Sequence, residues 1–374
     1  MKIAVNTRLL LTGKMDGIGK FTYESFRLLV AQHPDVHFYF LYDRKSGIEK
    51  IESKNVTHIF LDPVTRHPWL LQWWLNFSVR RWLAKHKIDL FVSPDGWLPN
   101  KSICKTLTVI HDINFYHYPQ KLRWGWGAWY NRKFKEYAHQ ATRVASVSEF
   151  SKSDIASAYN ISLQKIDVVY NGADIRFAPI SDSDKAKIKQ QYSQGEDYFF
   201  FIGSLYERKN IARMLLAFDA FKKQSKHPLK FVIAGRAIWW SNETKDLYES
   251  LQYKQDVIFT NRVTNEELYK LMASAHALVY ASLFEGFGIP IVEAMQCHIP
   301  VITSNVSSMP EIAGDAALLV DPTNTNEITV AMETLASNST VRNKLIEAGA
   351  ARAALFTWQR TATLLWESIQ KTMR

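Results

Sequence analysis

The fold of this chain follows from residues 276–304, HALVYASLFEGFGIPIVEAMQCHIPVITS. An apolar run at 276–282 predicts a buried strand, a loop with two glycines follows, and a helical segment then leads into a second strand, PVITS. A strand, a helix and a second strand in this order form a unit with parallel strands. Ligands of parallel sheets bind outside the carboxyl ends of the strands, so the loop after residue 282 is a candidate site.

The same alternation extends over the rest of the chain. Further strands are predicted at 2–10, 37–42, 88–94, 106–112, 143–148, 198–204, 229–235 and 256–263. The pattern predicts an α/β protein with two doubly wound, Rossmann-like domains, at 1–178 and 190–357, facing each other across a cleft. The polar stretch 175–197 holds no predicted strand and separates them. A final amphipathic helix is predicted at 358–374.

Composition limits the class of protein. The 374 residues carry a net charge of +10, and the whole surplus lies in residues 1–180, with 25 Lys and Arg against 15 Asp and Glu. That half also holds eight of the twelve tryptophans, so an anionic partner is expected there. The two cysteines lie too far apart in sequence to suggest a zinc site or a disulfide framework. The start of the chain is a poor leader peptide, and no apolar run approaches the ~20 residues of a membrane span.

The loop after residue 282 combines glycines with carboxylates. Gly286 and Gly288 allow backbone N–H groups to approach a ligand, and a helix starting at Pro290 would present its amino end to an anion. Glu285 and Glu293, the latter expected in the first helical turn, would be repelled by a diphosphate, so their expected partners are sugar hydroxyls. The structural alternative is a glycine turn with glutamates that only stabilise the helix dipole.

A second strand end supplies cations. Gly203 ends the strand 198–204, and Arg208 and Lys209 are predicted at the start of the next helix. Cations are unfavourable at that end of a helix, so we interpret the pair as a diphosphate clamp. The alternative is a solvated surface pair.

Two strand ends in the first half are weaker candidates. His111 follows an apolar strand, where a histidine is more often structural, although it can hydrogen-bond a substrate hydroxyl. Gly17 and Gly19 resemble half of a dinucleotide fingerprint, but residue 22 is Thr. The pattern Asp182-Ser183-Asp184 lies away from any strand end and indicates a helix cap rather than a metal site. Neither a Walker A loop nor a Cys/His cluster occurs.

Tryptophan and basic residues are concentrated in two segments, 66–87 and 121–135. The first contains Trp69, Trp73, Trp74 and Trp82 among seven Arg, Lys and His residues. Two interpretations stay open: helices that lie against anionic lipid headgroups, or layer helices with tryptophans in the core. No recognised nucleic-acid motif accompanies the charge, so no nucleic-acid partner is expected.

Together these segments resemble the retaining glycosyltransferases of family 4, which have the two-Rossmann-domain GT-B fold. The resemblance covers nearly the whole chain and rests on Gly17-Ile18-Gly19, VIHDINFYHYP, VSEFSKSDI, VVYNGAD, GSLYERKN, FVIAG, SLFEGFGIPIVEAM and SSMPEIAGDAALLVDP. The group within the family that shares the His-Asp strand end and the Ser-Ser-Met-Pro-Glu motif includes bacterial mannosyltransferases of O-antigen and capsule synthesis. The chain departs from the family pattern at Asp16, Asn261-Arg262, Ala281 and His298.

The resemblance implies a role for each matching position in the second domain. Arg208 and Lys209 would bind the donor diphosphate, near Gly203. Glu285 would hold donor-sugar hydroxyls with the backbone of Gly286, Phe287, Gly288 and Ile289, and Glu293 would hold the ribose. The loop of Arg262 and Val263 would meet the base.

In the first domain the resemblance implies that His111 contacts the donor sugar near the reacting centre and that Gly17 and Gly19 border the phosphates and the acceptor. The final helix would cross back onto this domain. The implied reaction is metal-independent hexosyl transfer with retention, from GDP-mannose by preference or from a UDP-sugar, to a glycan or polyprenyl-linked acceptor. No cofactor is implied, and the expected location is the cytoplasm, at the inner face of the cytoplasmic membrane if segment 66–87 binds lipid.

Three other functions stay open on the sequence. A sugar-nucleotide epimerase has the same fold and would convert donor without an acceptor. A dinucleotide oxidoreductase would carry a complete glycine fingerprint. A non-catalytic sugar-nucleotide-binding subunit would tolerate loss of Glu285 or Arg208.

Overall fold

The computed structural model describes residues 1–121, 125–225, 227–235 and 242–374. The chain forms two compact units, one of residues 1–172 and 358–374 and the other of residues 173–357. The first unit therefore ends slightly before residue 178, the limit expected from the sequence. Each unit is built on one parallel sheet.

The first unit contains a seven-stranded sheet in the order β3-β2-β1-β4-β5-β6-β7, with every neighbouring pair parallel. Its strands are β1 (Lys2–Asn6), β2 (His37–Tyr42), β3 (Val56–Phe60), β4 (Leu90–Ser93), β5 (Lys105–Val109), β6 (Arg143–Ser146) and β7 (Ile166–Val168). The order reverses direction at β1 and β4, which is the switch point at which such sheets bind ligands.

Helices cover both faces of this sheet. They are α1 (Gly17–Gln32), α2 (Pro68–Trp73), α3 (Arg80–His86), α4 (Asn114–His117), α5 (Trp126–Gln140), α6 (Glu149–Tyr159) and α15 (Trp358–Met373). A π-helical segment, Trp74–Val79, joins α2 to α3 without a break. Residues 122–124, which belong to the tryptophan-rich segment 121–135, lie outside the described residues.

The second unit contains a six-stranded parallel sheet in the order β10-β9-β8-β11-β12-β13. Its strands are β8 (Tyr198–Ile202), β9 (Lys230–Ala234), β10 (Val257–Asn261), β11 (Ala277–Tyr280), β12 (Val301–Ser304) and β13 (Ala317–Val320). Its helices are α7 (Asp182–Ser193), α8 (Ile211–Gln224), α9 (Asn242–Ser250), α10 (Asn265–Ser274), α11 (Ile289–Gln296), α12 (Met309–Ala313), α13 (Thr325–Ser337) and α14 (Ser339–Ala353).

Both sheets are apolar because both of their faces are covered. In the first unit one face packs around Trp74, Phe91 and Tyr137, and the other around Phe26, Phe38 and Leu107. Fully burying one such side chain stabilises a fold by roughly 1.5–3 kcal/mol. The central strands therefore consist of near-continuous apolar runs, which is what makes them visible in the sequence.

Helix α15 belongs to the first unit, which confirms the prediction that the end of the chain crosses back. Ala362, Leu365 and Ile369 are fully buried in the same core as α1. Trp366 stacks on the His33 ring with their centroids 3.6 Å apart, and Ser368 donates a hydrogen bond of 2.8 Å to Asp167.

Helix boundaries differ from the predictions at two candidate positions. Helix α1 begins at Gly17, so Gly17 and Gly19 lie in its first turn rather than in a loop. Helix α8 begins at Ile211, because Asn210 has a left-handed backbone (φ 60°) that interrupts the helix after Lys209. Helix α10 begins with a capping box, in which Thr264 and Glu267 are bonded to each other. His298 has the left-handed conformation (φ 58°) expected where the family usually has glycine.

Two predictions from the sequence concern membrane-spanning segments and the pattern Asp182-Ser183-Asp184. Among the described residues no helix is both long and apolar enough to cross a membrane. Asp182 and Asp184 occupy the exposed first turn of α7, whose cap is Ser181.

Candidate active site

The carboxyl ends of β8 and β9 meet so closely that they require glycine. A Cβ atom on Gly235 would lie 1.9 Å from the carbonyl oxygen of Gly203. Gly203 itself has φ 152° and donates its N–H to the Ala234 carbonyl at 3.0 Å. The two glycines thus fix the backbone from which the next loop departs.

Arg208 and Lys209 follow in a 3₁₀ turn, Glu207–Lys209, and not in the first turn of α8 as predicted. The left-handed Asn210 ends this turn, and its side-chain amide donates to the carbonyls of Ala281 (2.9 Å) and Pro322 (2.7 Å). The Leu283 N–H donates to the Arg208 carbonyl at 2.8 Å. These bonds attach the turn to the loop that follows β11.

Both cations contact Glu285. Lys209 Nζ lies 2.5 Å from Glu285 Oε1, and Arg208 Nη1 lies 3.2 Å from the same oxygen. Arg208 Nη1 also donates to the Phe284 carbonyl at 3.0 Å. Arg208 and Lys209 therefore form one charged cluster with a residue more than 75 positions away in sequence. We predicted catalytic roles for these three residues and for His111, which belongs to the first unit.

Tyr280, a residue that the sequence analysis did not select, completes this cluster. Lys209 Nζ donates to the Tyr280 hydroxyl at 2.6 Å. Burial, followed by the nearby charge of Glu285, raises the pKa of Tyr280 well above its usual value, so its hydroxyl stays protonated. The sequence signal was available: a tyrosine at the last position of an apolar strand places its ring beside the strand-end loop.

Glu285 is held as a carboxylate. Burial alone would raise its pKa, but the neighbouring charges of Lys209 and Arg208 outweigh burial and hold the pKa below its usual value. One carboxylate against two cations leaves a formal charge of +1 in the cluster. Such a cluster can bind both the charge of a phosphate group and, through the carboxylate, a sugar hydroxyl.

Serines hold the loop around Glu285 in place. The Glu285 N–H donates to Ser307 Oγ at 3.2 Å, and Ser308 Oγ donates to the Glu285 carbonyl at 2.9 Å. Ser304 Oγ, at the end of β12, donates to the Ser282 carbonyl at 2.6 Å. Ser307 and Ser308 belong to the SSMPEIAGD motif but had been given no role; they fix the backbone of the loop.

The glycine loop leads into α11. Gly288 caps this helix in a left-handed conformation (φ 93°), where a Cβ would also lie 3.0 Å from Ile291. The helix begins at Ile289, one residue before the predicted start at Pro290. Gly286 and Phe287 are buried between Glu285 and Gly288, and Phe287 contacts the Phe356 ring edge-on.

The remaining donor candidates of the second unit lie on other loops or further along α11. Glu293 is the fifth residue of α11, beyond the predicted first turn, and is buried. Arg262 is exposed and Val263 half-buried in the loop after the edge strand β10.

In the first unit His111 lies just after β5. Its Nε2 atom is 2.9 Å from the Pro94 carbonyl, which can only accept, so Nε2 carries the proton. Burial lowers the pKa of His111 below its usual value of 6.5. A neutral imidazole with Nδ1 unprotonated can accept a hydrogen bond from a sugar hydroxyl.

Gly17 and Gly19 are arranged differently from the loop that the sequence suggested. Asp16 caps helix α1, and its Oδ1 atom accepts the Gly19 N–H at 2.9 Å. A Cβ on Gly19 would lie 3.0 Å from the Leu9 carbonyl, so a side chain at this position would be tightly packed. The Asp16 carboxylate occupies the position at the helix amino end that an anion would otherwise take.

No three His, Cys, Asp or Glu side chains are grouped as metal ligands anywhere in the described part of the chain. The charged cluster of Arg208, Lys209, Glu285 and Tyr280 lies at the carboxyl ends of the strands of the second sheet. Two Rossmann-like parallel-sheet units, one of which carries such a cluster at the carboxyl edge of its sheet, define a protein of the GT-B class.

Comparison with known proteins identifies the family. Residues 15–177 match the family described as Glycosyltransferase Family 4, and residues 182–352 match Glycosyl transferases group 1. The two matches together span most of both units. The chain belongs to glycosyltransferase family 4.

Relatives include O-antigen chain mannosyltransferase B of Escherichia coli, 28% identical over 360 residues that cover 93% of this chain and 94% of the relative. The O-antigen chain mannosyltransferase RfbU of Salmonella typhimurium is 32% identical over 222 residues, which cover 58% of this chain and 57% of the relative.

Solved structures agree on the fold. Sucrose-phosphate synthase of Thermosynechococcus elongatus has a TM-score of 0.80 at 18% identity, with 99% of this chain and 98% of the other covered. HepE of Anabaena, in a complex with UDP and glucose, has a TM-score of 0.77 at 17% identity, with 99% and 100% covered. At this level of identity the likeness establishes the GT-B fold alone.

Proposed function

We propose that this glycosyltransferase transfers a hexosyl group, mannosyl by preference, from a nucleotide-diphosphate sugar to a hydroxyl of a glycan or polyprenyl-linked acceptor in the synthesis of a bacterial surface polysaccharide. The observation that carries the proposal is the contact of Arg208 and Lys209 with Glu285 at one strand edge. The O-antigen mannosyltransferases among its relatives support the choice of sugar and of pathway.

In the proposed reaction the bond between the anomeric carbon and the donor phosphate breaks, and a bond to the acceptor oxygen forms on the same face. Negative charge grows on the departing diphosphate, where Arg208 and Lys209 would stabilise it. A preorganised donor of this kind is worth about 10²–10³ in rate. The departing phosphate takes the proton of the acceptor hydroxyl, so atoms and charge balance without a protein nucleophile.

Other residues position the donor in this scheme. The Glu285 carboxylate accepts hydrogen bonds from donor-sugar hydroxyls, and the backbone of residues 286–289 supports it. Glu293 binds the ribose, and the loop of Arg262 and Val263 meets the base. GDP-mannose is the preferred donor, with a UDP-sugar as the second candidate, since UDP is bound by the HepE structure.

In the first unit His111 would accept a hydrogen bond from the donor sugar, in keeping with its proton on Nε2 and its lowered pKa. Gly17 and Gly19 border the acceptor in this proposal. The capping carboxylate of Asp16 makes that border suited to a hydroxyl rather than to a phosphate.

Metal independence is part of the proposal, because two side-chain cations supply the positive charge that a divalent ion would otherwise provide. Activity is expected to persist in EDTA, and a strict requirement for added Mg²⁺ would contradict this scheme. The expected location is the cytoplasm, at the inner face of the membrane where a polyprenyl-linked acceptor is embedded.

The decisive experiment incubates the purified chain with a panel of nucleotide sugars, with and without lipid-linked glycan acceptors, and determines the linkage of the product. We expect transfer only when an acceptor is present, with the anomeric configuration of the donor kept. Conversion of a donor without acceptor would indicate an epimerase, and binding without any turnover would indicate a sugar-nucleotide-binding subunit.

A further inference from the structure

The surface of the first unit carries an exposed aromatic row that no step of the proposed reaction uses. Trp69, Leu70, Trp73 and Phe77 are 62%, 41%, 49% and 60% exposed. They lie on α2 and the following π-helical segment at spacings that place them on one side. Large apolar side chains grouped in this way on a soluble unit indicate an interaction surface.

Buried neighbours fix the direction of this row. Trp74 is fully buried, and its indole Nε1 donates to the Leu61 carbonyl at 2.8 Å. Leu75 and Val79 are also fully buried. Because these side chains anchor the opposite side of the helix, Trp73 and Phe77 must point away from the core; their rings lie 5.3 Å apart.

The structure shows which tryptophans of segment 66–87 belong to the core and which are exposed. Its tryptophans are divided: Trp74 is core, Trp82 is half-buried and stacks on His86, and Trp69 and Trp73 are exposed. Trp69 is further supported by ring contacts with Trp126 and Trp129 of α5. The core interpretation therefore holds for Trp74, whereas Trp69 and Trp73 have the exposure that the lipid-headgroup interpretation requires.

The charged side chains in the segment around the aromatic row are all basic. Residues 66–87 contain no Asp or Glu. The cations Arg66, Arg80, Arg81 and Lys85 are all exposed. Within the described ranges none of these four side chains forms an ion pair, in contrast to Arg143 and Lys133 elsewhere in the same unit.

We propose that this aromatic row and its flanking cations, which we call the aromatic–basic face, dock the first unit on an anionic lipid bilayer. Tryptophan and phenylalanine rings insert at the level of the headgroups, while arginine and lysine pair with lipid phosphates. Arg66 precedes the aromatic residues, and Arg80, Arg81 and Lys85 begin one turn after Phe77 on the same continuous helix.

A second copy of the chain is a poor occupant of this face. A two-fold contact through this face would bring the cations of both copies into one interface, and such like-charge juxtaposition is costly. An acidic protein partner would also meet the charge, and tryptophan is common at protein interfaces; a chain that fails to bind anionic vesicles would favour such a partner over a bilayer. An anionic bilayer satisfies both the charge and the aromatic composition.

Membrane binding at this face rests on the proposed function, because a polyprenyl-linked acceptor carries its reactive sugar just above the lipid headgroups. The binding itself needs neither donor nor acceptor. A vesicle experiment can therefore fail while glycosyl transfer to a soluble acceptor still succeeds, and the two proposals are tested separately.

The test is flotation of the full chain with vesicles of phosphatidylcholine alone or of phosphatidylcholine with phosphatidylglycerol. We expect binding only to the anionic vesicles, weakening as salt is added because exposed charges are screened. The variant Trp69→Ser/Trp73→Ser/Phe77→Ser and the variant Arg80→Glu/Arg81→Glu should each reduce the bound fraction at least about tenfold.

Matched controls separate this surface from general effects. Lys245→Glu/Lys344→Glu changes the net charge equally at two exposed lysines of the second unit, and Leu163→Ser/Val330→Ser removes exposed apolar groups elsewhere. Both controls should bind as the wild type does. Unchanged circular dichroism and unchanged transfer to a soluble acceptor would show that the face variants are folded.

Two results would overturn the proposal. One is a wild-type chain that does not float with anionic vesicles, or floats equally well after both sets of face substitutions. The other is a dimer in solution that the triple aromatic variant converts to monomer without any vesicle binding, which would assign the face to self-association.

Discussion

Lys209 and Glu285, 76 residues apart in sequence, form a buried ion pair with Nζ 2.5 Å from Oε1. The side chains are 11% and 9% exposed. A buried pair of this kind is costly to form, and removing one partner costs about 3–5 kcal/mol because the other charge is left unpaired. We interpret the pair as a preorganised site in which Glu285 holds the lysine in position before a diphosphate arrives.

Removing either cation should abolish most of the activity. We expect Arg208→Ala and Lys209→Ala to lower kcat by about 10²–10³ each, because each loses one donor to the departing diphosphate. Steady-state kinetics with the preferred donor measure this. Near-wild-type rates in either variant would count against the clamp.

The control for that experiment is Lys222→Ala. Lys222 Nζ is also buried and lies 3.0 Å from Asp256 in an ion pair of the second unit, but it is not at the candidate site. This variant should lose stability and keep its turnover per folded molecule. A similar loss of turnover in Lys222→Ala would mean that the effect at Arg208 and Lys209 is one of stability.

Tyr280→Phe tests a residue found only in the structure. The substitution removes the hydroxyl that accepts from Lys209 at 2.6 Å and keeps the ring. Loss of one such bond costs about 1 kcal/mol of stability, which lowers the melting temperature by only a few degrees. We expect a several-fold fall in kcat, because Lys209 loses a contact that holds its Nζ in position. Tyr198→Phe is a suitable control, since its hydroxyl donates to the Leu271 carbonyl away from the cluster. Equal kinetics in Tyr280→Phe and wild type would show that Lys209 does not need this contact.

The ionisation of Glu285 gives a pH dependence of stability. Its pKa is lowered from the usual 4.5 in the folded chain, so the carboxylate stabilises the fold above pH 4.5 and loses this contribution as the pH falls through its folded pKa. The free energy of unfolding of wild type should exceed that of Glu285→Gln at neutral pH, and the gap should close in acid. Denaturant titrations over this pH range measure the gap; a gap that stays constant into strong acid would contradict the assignment.

Gly235→Ala tests the strand-end geometry. The added Cβ would lie 1.9 Å from the Gly203 carbonyl, a backbone atom that cannot move without displacing the loop toward Arg208. We expect a loss of several kcal/mol in stability, of the size seen for overpacking and strain. Gly349→Ala is the control, because its Cβ would lie 3.1 Å from the flexible side chain of Met295. Equal stability of the two variants would show that the β8 and β9 ends are not held so tightly.

The sequence predicted the central strands of the two sheets well and their edge strands poorly. Strands β3, β7 and β13 were not predicted, and all three lie at an edge of a sheet. The edge strand β3 has only half-buried residues and β13 has one buried residue of four, so neither shows the continuous apolar run that marks β5 or β11. An edge strand covers less of the core and needs less apolar sequence.

The residue types of the site were predictable, but their grouping was only partly so. Arg208, Lys209 and Glu285 stand at strand ends, and the rule that ligands bind there selected them. Ser307 was missed because its role is a contact made across loops, which periodicity does not reveal. Tyr280 was missed although it ends an apolar strand. The predicted helix start at Arg208 was wrong because one left-handed residue, Asn210, is bonded to two carbonyls distant in sequence.

The most direct test of the central claim is a crystal structure of the chain with an intact or non-hydrolysable nucleotide-diphosphate sugar. The account predicts oxygen atoms of the diphosphate within hydrogen-bonding distance of Arg208 and Lys209, and donor-sugar hydroxyls on the Glu285 carboxylate. A bound donor whose diphosphate lies away from both cations, with the Lys209–Glu285 pair undisturbed, would contradict it.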